Sequence, residues 1–353
     1  MASNSHSPQE DWKDKVGGKI REELHNSYRR QVETTSGLDE MQLVITLLGD
    51  AGKEEIMKAL TGIDYKTLPT EEGFSAGTVI YDVRENIFFA ETPWDNIRVR
   101  NPEKHVEEYS DLVLWFTTPE GQLTAGQKKV MNHLAEKGIP VLALSLNVSR
   151  EEDEDISAPE MPESVAGVSR VTVDPESESS VKALSDSIVR LLRRRHKEML
   201  YLRITPHREG PAGRWVMAAA ATAFGIAALP LPGSDDLSLT ALQSGLCLRI
   251  AYIFESTLTH KEQMALVTST VTGRAGRRLA SLAEDVIRKS GDRIPPTVKG
   301  IAMAASRGLV AAAITYGLGM ACLTYHKSGV EGRIQTLTEM FSKFAEEYLR
   351  NDE

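Results

Sequence analysis

The stretch LVITLLGDAGKEEIMKALTG, residues 43–62, constrains this chain more than any other. The continuous apolar run over residues 41–48 reads as a strand buried on both faces of a parallel sheet. It ends in Gly49, Gly52-Lys53 follows, and residues 53–60 read as a helix. Strand, glycine-lysine loop and helix in that order form the setting in which backbone N–H groups and a helix N-terminus hold phosphates. The complete motif is G-x-x-x-x-G-K-[ST], with the lysine on the outer phosphates and the hydroxyl on Mg²⁺. Here Gly49 precedes Gly52 by three positions instead of five, and Glu54 stands in the hydroxyl's place. A shortened loop wraps an anion with fewer amides. Two like charges about 4 Å apart repel by about 4 kcal/mol at an effective dielectric near 20. That is a large part of the roughly 8 kcal/mol behind micromolar affinity.

Further along, strand and helix patterns alternate. Residues 78–83 and 87–90 are two short β-rich runs split by Arg84-Glu85-Asn86, which predicts a hairpin and one antiparallel edge strand on an otherwise parallel sheet. Residues 111–116 (DLVLWF) read as a buried strand, 140–146 (PVLALSL) and 168–173 as further strands, and 124–137 and 179–196 as helices, the first ended by Gly138. This alternation predicts an α/β sheet with helices on both faces. After Pro206 strand patterns stop and alanine dominates, as in RWVMAAAATAFGIAALPLPGSDD. The expected organisation is a start and N-terminal helix over 1–40, an α/β domain over 41–198, and an all-α, Ala-rich domain over 199–353. In the first part Trp12, Val16, Ile20, Leu24 and Tyr28 recur on one helix face.

The order of these elements, together with GKEEIMKALTG, resembles the small GTPases of the Era-like and immunity-related groups, whose corresponding stretch is GKSSLINALTG. The resemblance covers residues 41–196. It implies a P-loop GTPase-like fold and places Lys53 on the phosphate lysine and Glu54 on the Mg²⁺-binding hydroxyl position. Thr78 falls near the switch threonine that would meet Mg²⁺. Glu91-Thr92-Pro93-Trp94 falls on Asp-x-Pro-Gly, and Asn147-Val148-Ser149-Arg150 on the guanine-reading Asn-Lys-x-Asp. Arg150, a donor only, cannot accept the guanine hydrogen bonds that the family's aspartate accepts. Trp94 makes a bulky turn where the family has glycine. Gly49, Gly52, Lys53, Glu54, Thr78 and Asn147 thus form a vestigial nucleotide site. The expectation is a pseudo-GTPase with no catalytic residue, no metal and no cofactor. The alternative is a divergent, active GTP hydrolase that uses GTP and Mg²⁺.

Residues 227–254 and 293–326 resemble an uncharacterised helical domain that follows GTPase domains in many bacterial proteins. The resemblance rests on Pro230, Pro232, Asp235, Leu242-Gln243 and Ile294-Pro295. It implies a bacterial GTPase-like protein acting through a protein partner, self-association or peripheral membrane contact. The uncharged run 308–325 spans about 27 Å as a helix, borderline against a ~30 Å hydrocarbon core. A second alternative is therefore a membrane-remodelling protein independent of nucleotide.

Composition narrows the classes. A net charge of −9 argues against a nucleic-acid binder that relies on overall charge. The N-terminus MASNSHSPQEDWKDK lacks the apolar core of a signal peptide. Cys247 and Cys322 have no metal-ligand spacing and suggest no disulfide framework, so the expected setting is a reducing cytoplasm. Arg193-Arg194-Arg195 favours a helix C-terminus. The histidines are scattered, and the acidic run 151–155 reads as a solvated loop.

Overall fold

The computed structural model describes residues 40–49, 52–72, 78–92, 102–117, 124–146, 168–228, 235–255, 299–328 and 334–351. The chain divides into two compact units at Arg208/Glu209, the first beginning at Leu38. The division falls ten residues beyond the expected 198/199 boundary. The helix Glu198–Ile204 belongs to the sheet unit, where Met199, Leu200, Tyr201, Leu202 and Ile204 are buried.

In the sheet unit, β1 (Leu43–Gly49) is flanked by β4 (Ile87–Glu91) and β5 (Leu112–Thr117), both parallel to it. With β2 (Thr70–Glu72), β3 (Val79–Arg84), β6 (Val141–Leu146) and β7 (Val168–Val173), the order is β2-β3-β4-β1-β5-β6-β7. The β3–β4 hairpin forms as expected, turning at Asn86 with φ 63°, a conformation that asparagine tolerates. Its antiparallel strand is not the edge, however. β2, whose sequence is only TEE, pairs antiparallel outside β3. Three polar residues carry no apolar alternation, so this strand leaves no pattern to read.

Parallel strands place alternate residues on opposite faces. Leu48, Val113, Trp115, Val141 and Ala143 form one core with Val106 of α2 (Pro102–Tyr109) and with Val130, Met131 and Leu134 of α3 (Ala125–Glu136). Helix α3 opens with a capping box, Thr124 and Gln127 each satisfying the other's backbone N–H. Against the other face α1 (Lys53–Thr61) packs beside α4 (Glu178–Arg193). It buries Ile56, Met57 and Leu60, each contributing about 1.5–3 kcal/mol.

Helix α4 closes in a Schellman turn. His196 takes φ 59°, its N–H reaches the Arg193 carbonyl (3.2 Å), and the Lys197 N–H reaches Leu192 (3.1 Å). The turn aims Arg195 and Lys197 at Asp111 Oδ1, at 3.4 and 2.5 Å, while Asp111 Oδ2 accepts the Val44 N–H at 2.9 Å. The basic run at this helix end is thus partly structural, tying α4 and α5 (Glu198–Ile204) to the start of β5.

The second unit, Glu209 onward, is helical in its described residues apart from the turn at Phe254-Glu255. Helix α8 (Lys299–Ser328, 30 residues) packs against α6 (Glu209–Ala228), α7 (Asp235–Ile253) and α9 (Ile334–Asn351). Close approach is possible because α8 carries glycine at the contacts. A Cβ at Gly317 would sit 2.9 Å from the Phe341 carbonyl oxygen, and one at Gly319 2.7 Å from a Val216 methyl. Within α8, Ala304–Lys327 is long and apolar enough to cross a membrane, and 67% of its most apolar window is buried inside the protein. Cys247 and Cys322, 75 positions apart in the sequence, meet in this unit, where their Sγ atoms lie 3.1 Å from one another.

Candidate functional site around Lys53 and Glu91

The chain runs to one side of β1 for β2–β4 and to the other side for β5–β7. Ligands of open α/β sheets bind beyond the carboxyl ends of the strands, at the place where strand order reverses. That place here is the end of β1, where Gly49 leads toward Gly52 and α1.

Both glycines are required. Gly49 has φ 91°, and a Cβ on it would lie 2.0 Å from the Phe116 carbonyl oxygen. Gly52, the N-cap of α1, has φ 74°, and a Cβ there would lie 2.1 Å from Leu146 Cδ1. The end of β6 therefore presses a leucine against the loop. Helix α1 opens without a side-chain cap, and Glu54 lies exposed in its first turn. A carboxylate there stabilises the helix N-terminus by about 0.3–1 kcal/mol.

Lys53 is mostly buried, and its ammonium lies 2.7 Å from Oε1 of Glu91, the last residue of β4. The other carboxylate oxygen of Glu91 accepts from Lys66 and from the Tyr81 hydroxyl, the latter at 2.9 Å. Lys66 also donates to Tyr81 at 3.2 Å and lies 5.1 and 5.5 Å from the ring centroids of Tyr65 and Tyr81. The two rings meet edge to face at 4.9 Å.

Burial alone would push the Glu91 carboxyl up; the bonds from Lys53, Lys66 and Tyr81 outweigh it and hold its pKa below the ordinary glutamate value. Burial likewise opposes the Lys66 ammonium, but its bonds to Glu91 and Tyr81 raise its pKa. Burial, followed by the charge of Glu91, pushes the Tyr65 phenol up. The Tyr65 hydroxyl has no hydrogen-bond partner among the described residues.

Thr78 is buried one residue ahead of β3. Its hydroxyl lies 2.9 Å from that of Thr92, which in turn lies 3.4 Å from the Tyr109 hydroxyl. The structure thus brings Gly49, Gly52 and Lys53 to the end of β1 and places Glu54 on the exposed side of α1. Asn147, Arg150, Trp94 and the acidic run 151–155 lie outside the described residues, as do the helix expected over 12–28, Pro230, Pro232 and Ile294-Pro295. Lys66, Tyr65 and Tyr81 were not among the residues the sequence pointed to. Lys66 sits in a polar stretch, and only the folding of the hairpin brings it to Glu91, 25 positions away. Among the described residues, no group of three or more His, Cys, Asp or Glu is placed to hold a metal ion.

Strand order, the antiparallel β3 and the strand–loop–helix junction at Lys53 define the class: a GTPase-like α/β domain of the P-loop kind, followed by a helical region. No family model and no curated protein matches the chain. Among solved structures, the FeoB G-domain from Methanococcus jannaschii is similar at 18% identity, covering 43% of this chain and 99% of that chain with a TM-score of 0.26. At that identity and score the likeness adds no weight of its own to the topology.

Proposed function

We propose that this protein is a pseudo-GTPase of the Era-like or immunity-related kind, which acts through protein interaction or membrane-proximal assembly and does not turn over GTP robustly. The observation that carries this is the Lys53–Glu91 ion pair. An arriving polyphosphate must displace a carboxylate that Lys66 and Tyr81 also hold. The short loop between Gly49 and Gly52, the acid at Glu54, and the engagement of the Thr78 hydroxyl with Thr92 all point the same way. These residues do not fit Mg²⁺-triphosphate, and no chemical step is assigned to them. Met217 and Phe224 stand exposed seven residues apart on α6, so they share a face that supports an interaction role. The helical region is proposed to be the kind that follows bacterial GTPase domains, in a cytoplasmic protein able to dock peripherally on membranes.

One observation favours the rival reading, a divergent GTP-binding enzyme. Helix α1 still begins at an uncapped glycine, which leaves first-turn N–H groups available to an anion. Titration of the full chain with GTP, GDP and ATP in Mg²⁺ separates the two. The pseudo-GTPase reading expects no saturable binding in the micromolar range. A dissociation constant for GTP below about 10 μM, abolished by Lys53→Ala, would sink it.

A further inference from the structure

Two thiols meet inside the helical unit. Cys247 on α7 and Cys322 on α8 are 75 positions apart in the chain, both are buried, and their Sγ atoms lie 3.1 Å apart. Neighbouring contacts fix this meeting. Gln243 Nε2 donates to Thr315 Oγ1 at 3.1 Å, and the rings of Phe254 and His326 stack with centroids 6.4 Å apart. The partners advance together along the chain, 243, 247 and 254 against 315, 322 and 326, so α7 and α8 run in the same direction, with Phe254 just beyond the end of α7. Below the thiols the helices approach closely: a Cβ on Gly319 would lie 2.8 Å from Leu246 Cδ2. The sulfurs therefore face one another by helix packing, not by the rotation of a loose side chain.

We propose that Cys247 and Cys322 are an oxidation site, forming a reversible intramolecular disulfide that fastens α7 to α8 when a low-molecular-weight disulfide such as oxidised glutathione is present. Closing the gap to the ordinary S–S length of about 2.05 Å needs about 1 Å of movement, within the reach of side-chain rotation. The step balances. One cysteine gives up its proton, and its thiolate attacks a sulfur of the small disulfide, expelling a small thiolate and leaving a mixed disulfide. The second cysteine, deprotonated in turn, attacks the protein sulfur of that mixed disulfide and expels the second small thiolate. Two protein thiols and one small disulfide become one protein disulfide and two small thiols, with two electrons passing to the oxidant.

The surroundings set the rate. The neighbouring sulfur, and then burial, raise the Cys247 pKa, so little thiolate exists in the closed helix pair. Oxidation proceeds through transient opening of α7 from α8, and mild denaturant speeds it.

The test uses the full chain, purified reduced and equilibrated in glutathione buffers of graded oxidised-to-reduced ratio, with and without urea below the unfolding transition. The expected result is a monomer lighter by about 2 Da, a crosslinked peptide joining residues 247 and 322, and a melting temperature raised by about 5–10 °C. Reductant reverses all three. Cys247→Ala or Cys322→Ala abolishes the crosslink and the stabilisation. The wild-type mass decides alone if a variant fails to fold. Two free thiols at the most oxidising ratio in both conditions, or separate glutathione adducts on the two cysteines, would show a hydrogen-bonded thiol pair only and overturn the proposal.

Discussion

The Lys53 ammonium lies 2.7 Å from Glu91 Oε1, joining the first residue of α1 to the last residue of β4. The lysine that would reach a phosphate is met by a carboxylate of the protein itself. Lys66 and Tyr81 hold the opposite carboxylate oxygen, so the acid cannot swing aside without losing bonds on both sides. The cluster ties α1, the stretch before β2, β3 and β4 together at the carboxyl ends of the strands. Its structural contribution explains why these residues can persist without a nucleotide.

Glu91→Gln keeps the shape of that side chain but leaves two lysines without their counter-charge. The loss expected at pH 7 is about 2–3 kcal/mol, since removing one partner of a mostly buried pair exposes the cost of the other. The Glu91 pKa is lowered in the folded state, so its contribution is full above the unfolded value of 4.5 and drains away as pH falls through the lower folded value. Urea midpoints of wild type and variant should therefore differ at pH 7 and converge on acidification below that value. A constant difference across this range would mean that the carboxylate charge is not what stabilises the cluster.

Gly49→Ala and Gly62→Ala should behave differently although both glycines have positive φ. At Gly49 the new Cβ would lie 2.0 Å from the Phe116 carbonyl oxygen, which belongs to a paired strand and has no freedom to retreat. Loss of more than about 4 kcal/mol, or no soluble protein, is expected. At Gly62, with φ 71°, nothing lies within 4 Å, and only the left-handed penalty of about 1–2 kcal/mol remains. Soluble yield and thermal melts compare them. Equal melting temperatures would count against the close approach of β1 to β5.

The readable parts of the fold were those with apolar periodicity. The seventh strand falls at 168–173 as its run of residues predicts, and α1 and α3 lie where their glycine and threonine boundaries put them. What escaped was short or polar: β2 is TEE, and α2 is PEKHVEEY, which sends Val106 into the core beneath it. The site was half legible. Lys53 has a motif around it, whereas Lys66 and Tyr81 acquire their role only when the hairpin folds back. The meeting of the two cysteines was illegible for the same reason. It depends on two helices running parallel, and local spacing carries no trace of that.

The Gln243–Thr315 bond offers a measure of what holds α7 on α8. Both groups are buried and lie 3.1 Å apart. Thr315→Val should cost about 1–3 kcal/mol because it strands the Gln243 amide; Gln243→Leu should cost a similar amount. The double variant removes both polar groups, so its loss should fall short of the summed single losses by about 1 kcal/mol. Strict additivity in denaturant unfolding would show that the two side chains are energetically independent.

His326 should make the helical unit acid-sensitive. Its ring stacks on Phe254 and meets Tyr325 edge to face at 5.2 Å, and burial lowers its pKa to about 4. Lys327, the residue after His326, pairs with the Glu209 carboxylate at 2.8 Å. A histidine kept neutral by the fold contributes stability that is full above its unfolded pKa of about 6.5 and is lost as pH falls toward 4. The loss between pH 7 and pH 4 should reach up to about 3 kcal/mol for this group, less whatever solvent reaches the ring. His326→Phe keeps the stacking and cannot take a proton. Its melting temperature should change less than that of wild type between pH 7 and pH 4. Parallel pH profiles for the two proteins would show that the imidazole is not titrating against the fold.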